Sequence, residues 1–154
     1  MFVFRNNTIE RFFPSDYSFS GYDDVSFVPN DADGYVWFYQ APIGFDYALL
    51  ASEMDSYLQK FDLVCGQISA NKTIIAFTID ELFDVRLLNS DFRVTDAIAR
   101  YNKGLEEAAV LHPNVKIIDI KEPERLMASV TSNLVISSNS HLLSLETLTS
   151  LPSK

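Results

Sequence analysis

The chain has 154 residues, 47% hydrophobic and 13% aromatic, with a formal net charge of −9 and a single cysteine, Cys65. That composition belongs to a folded globular chain, long enough for one domain with a substantial core. The acidity and the lack of a basic stripe argue against nucleic acid or an anionic membrane as partner. One cysteine excludes an intrachain disulfide and a multi-cysteine zinc site.

The first twenty residues carry Arg5, Glu10, Arg11 and Asp16 and no uninterrupted apolar run, which is unlike a secretory signal. No stretch reaches the roughly 18 consecutive apolar residues of a membrane-crossing helix. The expectation is a soluble, cytoplasmic domain.

Phe2-Val3-Phe4-Arg5 reads as a first strand, ending in the polar trio Asn6-Asn7-Thr8, which suits a strand-to-helix turn. From Ile9 to Asp33 aromatics (Phe12, Phe13, Tyr17, Phe19, Tyr22) alternate with turn residues. This stretch predicts a short helix near Thr8 to Phe13 and a short strand at Val25 to Val28. An acidic turn then leads into Tyr35-Val36-Trp37-Phe38-Tyr39-Gln40. Without polar/apolar alternation, that run predicts a strand buried on both faces of a parallel sheet. Its aromatic and β-branched content, with Pro42 beyond, disfavours a helix.

From Asp46 to Ile68 the residues Tyr47, Leu50, Met54, Leu58, Phe61, Cys65 and Ile68 recur at spacings of three and four. They draw one apolar stripe along a helix, with Asp46 as N-cap and Glu53, Asp55, Gln59, Lys60 and Asp62 mostly on the wet face. Lys72 to Thr78 repeats the buried-strand pattern and opens into the acidic loop Ile79 to Asp84. Thr95-Asp96 is the predicted start of a second helix that stops before His112-Pro113. Val115 to Ile120 is the last clear strand. Strand, helix, strand, helix, strand at this spacing predicts right-handed crossovers and a mostly parallel sheet sandwiched between helices, over residues 1–125.

Residues 126–154 differ, with only Glu146 and Lys154 charged and Ser, Thr, Asn and Leu dominant. That shift fits an edge strand at Val130 to Ser137 with a short helix at His141 to Leu148, a disordered tail, or the end of a truncated or frame-shifted chain.

Chemistry is sparsely signposted. No P-loop, GxGxxG, HExxH, CxxC or GxSxG occurs, and the five glycines are too scattered to cradle a phosphate in the usual way. A serine triad would need His112, at a helix end before a proline, or His141, in the tail. The carboxylates at Asp23-Asp24, Asp31/Asp33 and Asp80-Glu81-Asp84 read more simply as turn solvation than as a divalent-ion site. Cys65 falls on the apolar stripe and reads as core, and Tyr22, Trp37 and Tyr39 read as packing residues by default. No metal or cofactor is expected.

Ligands of open parallel sheets bind outside the carboxyl ends of the strands, near the point where strand order reverses. That places the candidate ligand-binding residues at Asn7, Thr8, Tyr39, Gln40, Asp80 and Asp119.

The segments FRNNTIERFF, FSGYDDVSFVPNDADGYVWFYQAPIGFD, KTIIAFT, SDFRVTDAIARYN and NVKIIDI, in that order over roughly residues 1 to 122, resemble the amino-terminal domain of FkbH-like proteins. These are haloacid-dehalogenase-superfamily members, subfamily IIIC, of polyketide and capsular or surface-polysaccharide biosynthesis. The resemblance implies a three-layer α/β/α sandwich, flavodoxin-like or SGNH-hydrolase-like, standing before a phosphatase-type catalytic domain. It also implies that domain, a carrier protein or a small-molecule substrate as partner. The DxDxT or DxDxV motif of the catalytic domain does not occur here. Asn6-Asn7-Thr8 stands where a GDS serine would follow the first strand, and a DxxH is missing. The expectation is therefore a non-catalytic recognition or accessory domain. The alternative is a diverged SGNH-like esterase with a nucleophile such as Thr8 and His112 as base. Departure from the family pattern near Leu126 favours a fragment or a shifted frame.

Overall fold

A computed structural model describes residues 1–41, 47–79 and 92–119, apart from the side chains of Phe12, Tyr47 and Phe92. The aromatic run becomes the middle of a sheet. All five residues of β3 (Gly34–Phe38) are buried, as its unbroken apolar pattern requires. Around it stand β1 (Phe2–Arg5), β2 (Ser18–Phe19), β4 (Thr73–Phe77) and β5 (Val115–Ile118) in the order β2-β1-β3-β4-β5, every neighbouring pair parallel. Phe2 to Arg5 register against Tyr35 to Phe38, and Gly34 to Trp37 against Thr73 to Ala76. This is the strand order of flavodoxin-like sheets.

The expected α/β fold with a parallel sheet is therefore present. Helices α1 (Tyr47–Gln67) and α2 (Phe92–Leu111) form the crossovers β3-to-β4 and β4-to-β5. Both step along the sheet in one direction, and right-handed crossovers then put both on one face. There Phe4, Tyr35, Trp37, Tyr39, Ile74 and Ala76 pack against Leu50, Met54, Phe61, Ala97, Ile98, Tyr101 and Leu105. The helices touch so closely that a Cβ on Gly104 would meet the Leu58 side chain at 2.6 Å.

The step from β1 to β2 runs the opposite way, so its connection crosses the other face. That connection carries a single 3₁₀ turn, Glu10–Phe12, and Ile9, Phe13 and Tyr17 cover Val3, Val36, Phe38 and Phe77. Among the described residues, both α-helices lie on the first face and no α-helix lies on the second.

Several expectations shift in detail. The helix expected over Thr8 to Phe13 is that 3₁₀ turn. The second strand is Ser18–Phe19, paired to β1, and not Val25 to Val28. That later segment must cross from β2 over β1 to reach β3, and it uses Val25 and Val28 to pack on the helix-side core. Helix α2 starts at Phe92, so Thr95 lies inside its first turn and does not cap it. Tyr57 and Val64 are buried and Leu58 only half-buried, which rotates the buried stripe of α1 slightly from the expected one. Of the aromatics that alternate with turn residues in this stretch, Phe13 and Tyr17 are buried. Asp46 as N-cap, the Asp80-Glu81-Asp84 loop and residues 126–154 lie outside the described residues.

Candidate functional site

At the carboxyl ends of β1 and β3 the chain leaves in opposite directions, toward the two faces of the sheet. That is the topological switch point, where an open parallel sheet leaves a crevice. The strand-end residues meet there. The Asn6 side chain accepts from the Gln40 backbone N–H at 3.0 Å and donates to the Gln40 carbonyl at 2.8 Å and the Tyr57 hydroxyl at 3.0 Å. One amide thereby clasps β1, β3 and α1 together, using a carbonyl and two N–H bonds as only Asn or Gln can.

Next along the chain, Asn7 Nδ2 donates to Gln40 Oε1 at 2.7 Å, and Thr8 Oγ1 lies 2.7 Å from the Tyr22 hydroxyl. Asn7, Thr8 and Gln40 are thus brought to one spot, with Asn7 and Thr8 exposed.

Tyr39 belongs to the wall of this region and not to its open surface. It is 2% exposed and stacked on Trp37 with centroids 4.0 Å apart and planes 1° from parallel. Its buried hydroxyl and the buried Oδ1 of Asp23 complete no hydrogen bond of normal geometry. Burial first, and the Asp23 charge second, hold this phenol far above the ordinary tyrosine range. Tyr57 is raised for the same leading reason, burial, while the hydrogen bond from Asn6 pulls it down.

Asp23 adopts φ 57°, the left-handed region that costs most side chains energy and that Asp tolerates better than most. That turn lets its N–H reach the Arg5 carbonyl at 3.0 Å while Oδ2 meets Lys60 Nζ at 2.7 Å. The loop after β2 is thereby pinned to both the sheet and α1.

Arg5, 6% exposed, lies beneath that loop. Its Nη2 pairs with Glu10, and its guanidinium lies 4.1 Å from the centroid of the Tyr22 ring and 6.0 Å from that of Phe19. The aromatic faces offset part of the cost of burying this cation.

Asp119 sits at the same sheet edge but two strands away, where Thr78 Oγ1 donates to its Oδ1 at 3.4 Å. Between them Asn102 of α2 clasps the backbone leaving β4. It accepts from the Ile79 N–H at 2.8 Å and donates to the Ile79 carbonyl at 2.7 Å. Asp80 lies outside the described residues.

Thr8 and His112 do not meet. Thr8 follows the carboxyl end of β1, whereas His112 precedes the amino end of β5, on the opposite edge of a parallel sheet. His112 Nε2 lies 3.9 Å from Asp62 instead. Among the described residues no group of three or more His, Cys, Asp or Glu could hold a metal ion, and no helix is long and apolar enough to cross a membrane.

The sequence marked Asn6 only as part of a polar strand-end turn, Asp23 as turn solvation and Lys60 as wet-face charge, and it gave no sign of Asn102. The signal at Asp23 was local, an acidic residue two places after Gly21 in a turn-forming stretch. What results is a parallel α/β domain of flavodoxin-like strand order whose switch point is lined by amides and hydroxyls. No protein-family model matches the chain, and no curated protein or solved structure matches it either.

Proposed function

We propose that this chain is a non-catalytic recognition domain that takes its ligand in the crevice between the ends of β1 and β3. The observation that carries the reading is the make-up of that crevice. Asn7, Thr8, Gln40 and Tyr22 present amides and hydroxyls at a switch point, and the described residues there include no nucleophile–base pair. Side chains of this kind donate and accept at once and orient a polar ligand without moving protons at neutral pH. The resemblance to the amino-terminal domain of FkbH-like proteins supports the same reading. It makes surface-polysaccharide or secondary-metabolite biosynthesis the setting. A phosphatase-type catalytic domain, a carrier protein or a small-molecule substrate is then the partner, with the cytoplasm as the site of action.

The test is turnover. The chain is incubated with p-nitrophenyl acetate, and separately with p-nitrophenyl phosphate and Mg²⁺, and product is followed. The reading expects release at the buffer rate for both. Saturable release that falls on Thr8→Ala would establish an esterase and overturn it.

A further inference from the structure

We infer that Tyr22 is a stacking platform for an uncharged pyranose ring, with the Asn7 and Gln40 amides beside it as partners for the sugar hydroxyls. The inference rests on the reading of the β1–β3 crevice as a binding site and adds the class of ligand.

Tyr22 is 61% exposed, yet it is not a loose surface aromatic. Its hydroxyl is tied to Thr8 at 2.7 Å, and one face of its ring lies over the Arg5 guanidinium at 4.1 Å. With that face covered, the exposure belongs to the opposite face and the edges. A ring fixed on two sides loses little conformational freedom when a ligand stacks on it, which favours binding. Its outer face is electron-rich and broad, suited to the C–H-lined face of a pyranose.

The rim of the platform fits the same ligand. Asn7 donates to Gln40 Oε1 at 2.7 Å, and it is the chain neighbour of Thr8, which holds the Tyr22 hydroxyl. Amides donate and accept, as sugar hydroxyls do. Charge points away from an anionic ligand. The two nearest cations are each joined to a carboxylate, Arg5 to Glu10 and Lys60 to Asp23. Asp24, exposed in the same turn, is held well ionised by hydrogen bonds from the Ser26 side chain and backbone. A phosphate or uronate would meet the Asp24 charge, while the Arg5 and Lys60 charges are already balanced by carboxylates.

The test follows the Asn7 and Gln40 side-chain amides and the Tyr22 backbone amide by NMR in the isotope-labelled full chain. The probes are the methyl glycosides of glucose, galactose, mannose and N-acetylglucosamine, then glucuronate, inorganic phosphate and adenosine, each to about 20 mM, where weak small-ligand binding is visible. The inference expects saturable shifts with at least one glycoside. Affinity should stay within about twofold in Tyr22→Phe and fall roughly fivefold in Tyr22→Ala, the scale of one aromatic contact. The spectrum away from the crevice reports that both variants are folded. Shifts at these amides with glucuronate, phosphate or adenosine but no glycoside would overturn the sugar inference and leave the crevice a binding site. Glycoside shifts unchanged by Tyr22→Ala would overturn the platform. Silence at the crevice with every probe would overturn both readings.

Discussion

Asn6 and Gln40 are joined in both directions. The Asn6 amide takes the Gln40 N–H at 3.0 Å and gives its own to the Gln40 carbonyl at 2.8 Å, across 34 residues of sequence. The bond pair continues the β1–β3 ladder one step past its last backbone pairing, Arg5 with Phe38. It does so where the two chains diverge and where backbone groups would otherwise be left unpaired. The crevice thus has a fixed floor.

Replacing Asn6 by Ala removes three hydrogen bonds and strands the Gln40 backbone groups. The expected cost is about 2–4 kcal/mol, from roughly 1 kcal/mol per bond plus the penalty for groups left unpaired. Urea unfolding should show a lower midpoint at unchanged slope. Asn6→Asp, which cannot donate to the Gln40 carbonyl or to Tyr57, should cost a comparable amount. A midpoint that holds in both variants would remove the clasp.

The Trp37 indole donates to the Tyr101 hydroxyl at 2.8 Å in a fully buried setting. Tyr101→Phe keeps the ring and leaves the indole N–H without its acceptor, which should cost about 1–3 kcal/mol. Trp37 is the single tryptophan, so its own fluorescence follows the unfolding transition.

Asp23 sits at φ 57° with its carboxylate on Lys60. Asp23→Asn keeps tolerance of the left-handed backbone and loses only the charge pair, which at this exposure contributes on the order of 0.5–1 kcal/mol. Asp23→Val adds backbone strain of about 1–2 kcal/mol. The predicted order of thermal midpoints is wild type, Asn, Val, and an equal midpoint for Asn and Val would contradict it.

Burial, with a lesser push from Asp62, raises the Cys65 thiol from 9.0 to about 12, and burial lifts Tyr39, Tyr57 and Tyr101 above the ordinary tyrosine range. All four hold protons in the folded chain that the unfolded chain releases at lower pH, so stability falls as pH rises. It should be fully retained below about pH 9 and lost progressively toward pH 12. Urea midpoints between pH 7 and 11 check this, and a flat profile above pH 9 would refute it. A thiol reagent at pH 8 should modify Cys65 only as fast as the chain unfolds.

The sheet was legible because burial on both faces leaves a plain mark. Tyr35 to Tyr39 and Ile74 to Phe77 read as apolar runs that only a central parallel strand accommodates. Strand β2 was not, since two residues paired on one side carry no periodicity to detect. The crevice was half legible. Topology alone marked Asn7, Thr8 and Gln40, because strand ends must gather at one edge. Tyr39 looked equivalent by position, but its place in the alternation turned its ring inward against Trp37. Asn6 and Asn102 were hidden for a different reason. Their partners are backbone groups 34 and 23 residues away, and no local pattern encodes such a contact. Lys60 read as wet-face charge, and only the left-handed turn at Asp23 brings a carboxylate to it.

The account turns on whether ligands choose the end of β1 and β3 over every other surface. The most direct measurement is a small-molecule fragment screen against the isotope-labelled full chain, with backbone and side-chain amide shifts mapped residue by residue. The account predicts that hits converge on Asn6 to Thr8, Gly21 to Asp23 and Tyr39 to Ala41, and that Gln40→Trp, which fills the crevice, abolishes them. Hits that gather elsewhere, unaffected by Gln40→Trp, would contradict it.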